Sequence, residues 1–293
     1  MQPPTHQGPE RWVEPQPAPE VARRERRDLP RLLLGGSAAL AVAMGIGRFA
    51  YTPILPATEV AARLDPAQAG LLASANYAGY LTGALAAAAC PLGVARGRVL
   101  LVCLAMVVAT TALMAGTTNL AAWGAIRFLA GLSSATVFIL VSQAILGALH
   151  RGERTSLVGW LYSGVGVGIA LSAVVVRVAG GVLGWRGEWL VLALLAAVMA
   201  TPAWRWLPLA DIGAAPPVPV RPSHGHAAGL RMTLLTLAYL LEGTGYIVTG
   251  TFLVAIVDQM RGLSGFGPSV WAVVGLAAVP STVLWTALAS RVG

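Results

Sequence analysis

The sequence contains no lysine: all 20 of its basic residues are arginine, set against 12 acids in 293 residues. Charged side chains make up 11% of the chain and hydrophobic ones 56%, with a mean hydropathy of +0.71. Ordinary soluble domains carry about 25% charge, so this composition belongs to a membrane protein. The formal charge of +8 is concentrated in short segments between long apolar runs, which argues against nucleic-acid binding, since that requires arginines clustered on a folded polar surface.

Cysteine is nearly absent as well. Cys90 and Cys103 lie within or beside apolar runs and lack CxxC or metal-type spacing, so they read as small hydrophobes without disulfide or redox chemistry. His224 and His226 form an isolated HxH in a proline-rich stretch, without the further ligands that a closed metal site needs. The sequence has no HExxH, GxSxG or GxxxxGK[ST]. Its intramembrane acids are too few for a paired carboxylate site. Neither catalytic residues nor a cofactor is expected, and an enzyme is not indicated.

What the chain does have is apolar length. About 20 apolar residues span the roughly 30 Å hydrocarbon core. Segments 32–57, 69–93, 99–116, 120–149, 157–182, 189–207, 232–257 and 270–289 meet or approach that length. The expected fold class is therefore all-α and polytopic, with about eight transmembrane helices. Residues 1–31 are rich in proline and charge (RRERRDLPR) and are expected to form a disordered cytoplasmic tail. Residues 32–208 would form a six-helix bundle, 209–230 a cytoplasmic linker containing APPVPVRPSHGH, and 231–293 the first two helices of a second bundle.

Arginine sets the orientation. The tail carries Arg11, Arg23, Arg24, Arg26, Arg27 and Arg31, and alternate loops add Arg96, Arg98, Arg151, Arg154, Arg205, Arg221, Arg231 and Arg291. The opposite side receives Arg63, Arg186, Arg261 and Arg177, along with Glu59, Asp65, Glu188 and Asp258. The N-terminus is thus placed in the cytoplasm.

Ionisable groups deep in a span cost several kcal/mol unless paired or hydrated, which makes each a functional candidate. Three stand out: Arg48, Arg127 and Glu242. At 1.5 Å per residue, Glu242 sits about 15 Å into its span, and Arg48 and Arg127 about 20 to 24 Å from the cytoplasmic face, so that all three can share one cavity. Glu242, Tyr246 and Thr249 fall on one helical stripe and Arg48 with Tyr51 on another, while Asn76 and Tyr80 are one turn apart. The expected substrate cavity comprises Arg48, Tyr51, Asn76, Tyr80, Tyr246 and Thr249, with Glu242 as the titrating group. Gly79-x-x-x-Gly83 and Gly164-x-x-x-Gly168 are spacings that let helix backbones approach each other.

GIGRFAYTPILP from Gly45 and GTGYIVTGTFLV from Gly243 look like a weak internal repeat, a trait of secondary transporters. Together with LASANYAGYLTGAL and LEGTGYIVTGTFLVAIV, they resemble the major facilitator superfamily, and within it the bacterial YbfB-type subgroup. RFLAGLSSA, with Arg127 and Gly131, is similar to the superfamily's arginine-then-glycine pattern, whose arginine is associated with proton coupling. YSGVGVGIA resembles a degraded antiporter motif that lacks its Gly-Pro pair. VARGRV resembles the loop signature after the second helix without its aspartate.

The resemblance covers about residues 32–293. It implies four further helices, so that the chain is expected to be truncated after the eighth. It also implies a multi-pass secondary transporter of the bacterial inner membrane, moving a small-molecule solute with protons as the coupling ion. The alternatives are a transport-inactive fragment, or a membrane scaffold or receptor.

Overall fold

A computed structural model describes residues 19–89, 95–152, 154–207 and 226–292. Among the described residues the chain is helical throughout, joined by short turns. The α-helices are α1 (Pro19–Leu40), α2 (Tyr51–Ala62), α3 (Pro66–Ala89), α4 (Arg96–Leu113), α5 (Leu120–Arg151), α6 (Val158–Trp206), α7 (His226–Gln259) and α8 (Gly267–Val292).

The first crossing is broken. α1 passes into a π-helical segment over Ala41–Ile46, then a turn, before α2 resumes at Tyr51. Gly47 N–H donates to Val42 O at 2.8 Å and Phe49 N–H to Met44 O at 3.1 Å, both five residues back. Pro53 has no N–H to give Phe49 O, the acceptor four residues earlier. That carbonyl instead accepts from Thr52 N–H at 3.3 Å.

α6 spans 49 residues, or about 74 Å at 1.5 Å per residue, more than twice the hydrocarbon thickness. Gly184 divides it, with φ 62° and ψ 177°, a left-handed φ that residues with a Cβ rarely adopt. The chain thus crosses twice within this one element. Around the break, Trp123 and Trp185 meet edge to face at 5.6 Å and Arg186 covers Trp185 at 5.2 Å, amphipathic side chains suited to a membrane interface.

Six helical stretches are long and apolar enough to span a bilayer: Asp28–Ala62, Arg96–Gly116, Leu120–His150, Thr155–Trp206, Met232–Gln259 and Gly267–Arg291. Counting Thr155–Trp206 as two crossings makes seven. α3 is the eighth among the described residues; its 24 residues reach about 36 Å, but its apolarity is diluted by glycine and by polar residues such as Asn76, Tyr77, Tyr80 and Thr82. α3 lies along α5, where Gly79 and Gly83 let the backbone of Phe128 and Leu132 approach. α1 lies along the first half of α6, where Gly164 and Gly168 accept the backbone of Ser37, Ala41 and Gly45. The glycine spacings therefore act in helix packing.

α8 packs on the first half of α6. α7 meets α2, where Thr52 Oγ1 donates to Gly250 O at 2.7 Å. Most of α7 and much of α8 remain exposed.

Two expected boundaries move. The tail expected over residues 1–31 is helical from Pro19 onward, because Ala, Arg, Glu and Leu propagate a helix that the membrane segment already nucleates. Residues 1–18 lie outside the described residues. The expected linker, 209–230, ends earlier, since α7 begins at His226. Residues 208–225, including His224, lie outside the described residues, as does Cys90.

Candidate functional site: an arginine-aromatic cluster at the helix break

The break in the first crossing places Arg48 in the turn between the π-helical segment and α2. The break is held from both sides. Gly45 sits directly on the backbone of Gly168 in α6, with no room for a Cβ on either residue. From α5, Arg127 Nη1 reaches Gly47 O at 3.5 Å, and its guanidinium lies 4.6 Å from the Tyr51 ring centroid. Arg127 is only 3% exposed, and its Nε has no partner.

Arg48 is half-buried and surrounded by rings. Its guanidinium carbon lies 4.1 Å from the Tyr80 centroid, 4.8 Å from Tyr77 and 5.5 Å from Phe49. Such contacts are worth about 0.5 to 2 kcal/mol each. Arg48 Nε is buried with no hydrogen-bond partner. Phe49 continues the aromatic wall, meeting Tyr246 of α7 edge to face at 6.2 Å and Trp271 of α8 at 6.4 Å. The helix break thus joins α3 to α7 and α8 through one patch of rings.

The cluster is cationic. Among the described residues the one ion pair is Arg31 with Asp28 at 3.9 Å, both exposed. Neither Arg48 nor Arg127 has a carboxylate within ion-pair distance. Glu242 stands exposed on α7. Tyr246, one turn on, meets the ring of Phe49, which also faces the Arg48 guanidinium.

The expected site residues fall into three groups. Arg48, Tyr80 and Tyr246 come together around the aromatic patch. Tyr51 and Asn76 belong instead to the Arg127 brace. Tyr51 Oη donates to Ala69 O at 3.0 Å and its ring carries the Arg127 guanidinium, while Asn76 Nδ2 donates to Arg127 O at 2.9 Å. Arg48 and Tyr51, expected on one stripe, have different neighbours: the chain turns over residues 47–50, Arg48 lies against Tyr77 and Tyr80, and Tyr51 carries the Arg127 guanidinium from α5. Thr249 is exposed on α7 and makes no side-chain hydrogen bond among the described residues.

Arg127 reaches the carbonyl of Gly47, the residue before Arg48, and among the described residues Glu242 forms an ion pair with neither arginine. Phe49 and Tyr77 were not expected. Tyr77 and Tyr80 form an i, i+3 pair, a signal readable from spacing alone, whereas Phe49 is placed by the helix break. Among the described residues no group of three His, Cys, Asp or Glu side chains stands together as metal ligands.

Among the described residues, eight crossings with a break in the first of them define a polytopic helical membrane protein. A family model described as "uncharacterised MFS-type transporter YbfB" matches residues 40–293, and the chain belongs to that family. No curated protein matches the chain significantly.

Proposed function

We propose that this protein is a secondary active transporter of the bacterial inner membrane that moves a small solute with protons, its N-terminus in the cytoplasm. Membership of an MFS-type transporter family supports transport as the activity. The observation that carries the rest of the proposal is Arg48, held at a helix break between Tyr80 of α3 and, through Phe49, Tyr246 of α7. A broken helix exposes backbone polar groups in the membrane only where protein or a hydrated cavity satisfies them, and such breaks mark solute sites in transporters.

Glu242 is the proton carrier in this scheme. A carboxylate on a membrane helix is costly when charged and is stabilised by a nearby cation. Tyr246, one turn from it, meets the Phe49 ring that faces Arg48, so solute entering at the aromatic patch alters the surroundings of both charges. Arg127 braces the break and holds Tyr51 and Asn76, and its role is to position Arg48.

The test is reconstitution into proteoliposomes with a trapped pH indicator, challenged with inward gradients of a panel of small solutes. A solute-dependent proton flux absent from protein-free vesicles is expected. Solute binding with no flux for any member would instead favour a receptor or scaffold.

A further inference from the structure

Building on the transport reading, we infer that the solute is a small organic anion, whose negative head engages Arg48 and whose apolar body lies along Phe49, Tyr246 and Tyr80.

Arg48 and Arg127 place two permanent cations at the helix break, Arg127 reaching the carbonyl of Gly47 next to Arg48. A buried cation is normally matched by a carboxylate, yet no ion pair among the described residues includes either arginine. The two arginines also differ. Arg127 is almost wholly enclosed, with its guanidinium on Tyr51 and Gly47 O, and so is committed to the fold. Arg48 is half-buried and has a buried Nε without an acceptor.

Aromatic faces hold Arg48 but cannot satisfy it. Cation–π contacts with Tyr80, Tyr77 and Phe49 fix the plane of the guanidinium. Its buried Nε–H still lacks an acceptor, and a planar fork of this kind fits a carboxylate or similar oxyanion. Next to the fork, Met44, Phe49, Ile169, Ala173, Val254 and Trp271 pack into a separate buried hydrophobic cluster that Tyr80 borders. A charged head beside an apolar wall describes an organic anion better than an inorganic one or a sugar. With Glu242 protonated, an anion entering with that proton adds no net charge to the cycle.

The test uses the purified protein in detergent, with thermal stability as the binding readout. The probes are phenylacetate, phenylacetamide and phenethylamine, which share a body and differ in the charge of the head. Phenylacetate is expected to bind about tenfold or more tighter than the other two, as charge-assisted hydrogen bonds require. Arg48→Gln should remove that preference. Arg48→Lys, which keeps the charge but loses the fork, should bind phenylacetate more weakly while still preferring it to the amide and the amine. Equal shifts with all three probes, shifts with none, or a preference for the amine would overturn the inference. Acid-selective binding without flux in proteoliposomes would support the anion site and overturn transport. Flux of a neutral or cationic solute through Arg48→Gln as well as wild type would do the reverse.

Discussion

The guanidinium of Arg48 lies over the ring of Tyr80, 4.1 Å from its centroid, joining the break in the first membrane crossing to the second crossing. The ring supplies the attraction, and the hydroxyl is dispensable for it. Tyr80→Phe is expected to leave thermal stability within about 0.5 kcal/mol of wild type, and Tyr80→Leu to lower it by about 1 to 2 kcal/mol. Thermal melts of the purified variants check this, and equal losses in both would contradict the ring contact.

Arg127 braces the same break from α5, fully enclosed and without an acid partner. Replacing a poorly compensated buried charge by an apolar side chain of similar volume is often neutral or stabilising. Arg127→Met should therefore keep stability within about 1 kcal/mol of wild type while reducing solute-driven proton flux, because Gly47 and Arg48 lose their support. A variant that melts early but transports normally would show that Arg127 serves stability alone.

The membrane crossings were legible in the sequence because each is a run of apolar residues long enough to span a bilayer. Arg127 was legible as a buried charge and Gly131 as its partner in a known pattern. Tyr80 and Tyr246 were singled out by their place one turn from Asn76 and Glu242. The bond from Asn76 to Arg127 O joins two helices and is not a matter of spacing. For Arg48 and Tyr51, spacing arithmetic assumes 3.6 residues per turn, whereas the chain is π-helical and then turns over residues 41–50. That irregularity depends on contacts distant in sequence, Gly45 with Gly168 and Gly47 with Arg127, which no local pattern encodes. In α7 the comparable stretch from Gly243 runs as unbroken helix, so the weak sequence repeat does not extend to the break.

Two glycines of α5 separate packing from propensity. A Cβ on Gly131 would collide with the backbone of Asn76 and Tyr80 in α3, whereas one on Gly124 would meet nothing within 4 Å. Gly131→Ala is expected to destabilise by about 1 to 3 kcal/mol. Gly124→Ala should be neutral or stabilising by up to about 1 kcal/mol. Melting temperatures of the two variants decide it, and equal effects would contradict the close approach of α3 and α5.

The proposed orientation rests on the arginines. Arg154 and Arg63 are both exposed, and the distribution of charge predicts that they lie on opposite sides of the membrane. In intact bacterial cells a membrane-impermeant maleimide should label Arg63→Cys and spare Arg154→Cys until the membrane is permeabilised. The reverse pattern would invert the topology.

Proton coupling through Glu242 is the central claim. The decisive measurement compares wild type with Glu242→Gln in proteoliposomes, using a solute found to drive proton flux. Both solute exchange at equal pH and uptake driven by an imposed pH gradient are followed. The account predicts that Glu242→Gln retains exchange and loses at least about tenfold of the gradient-driven uptake, since the amide cannot carry the proton. Gradient-driven uptake unchanged in Glu242→Gln would contradict it.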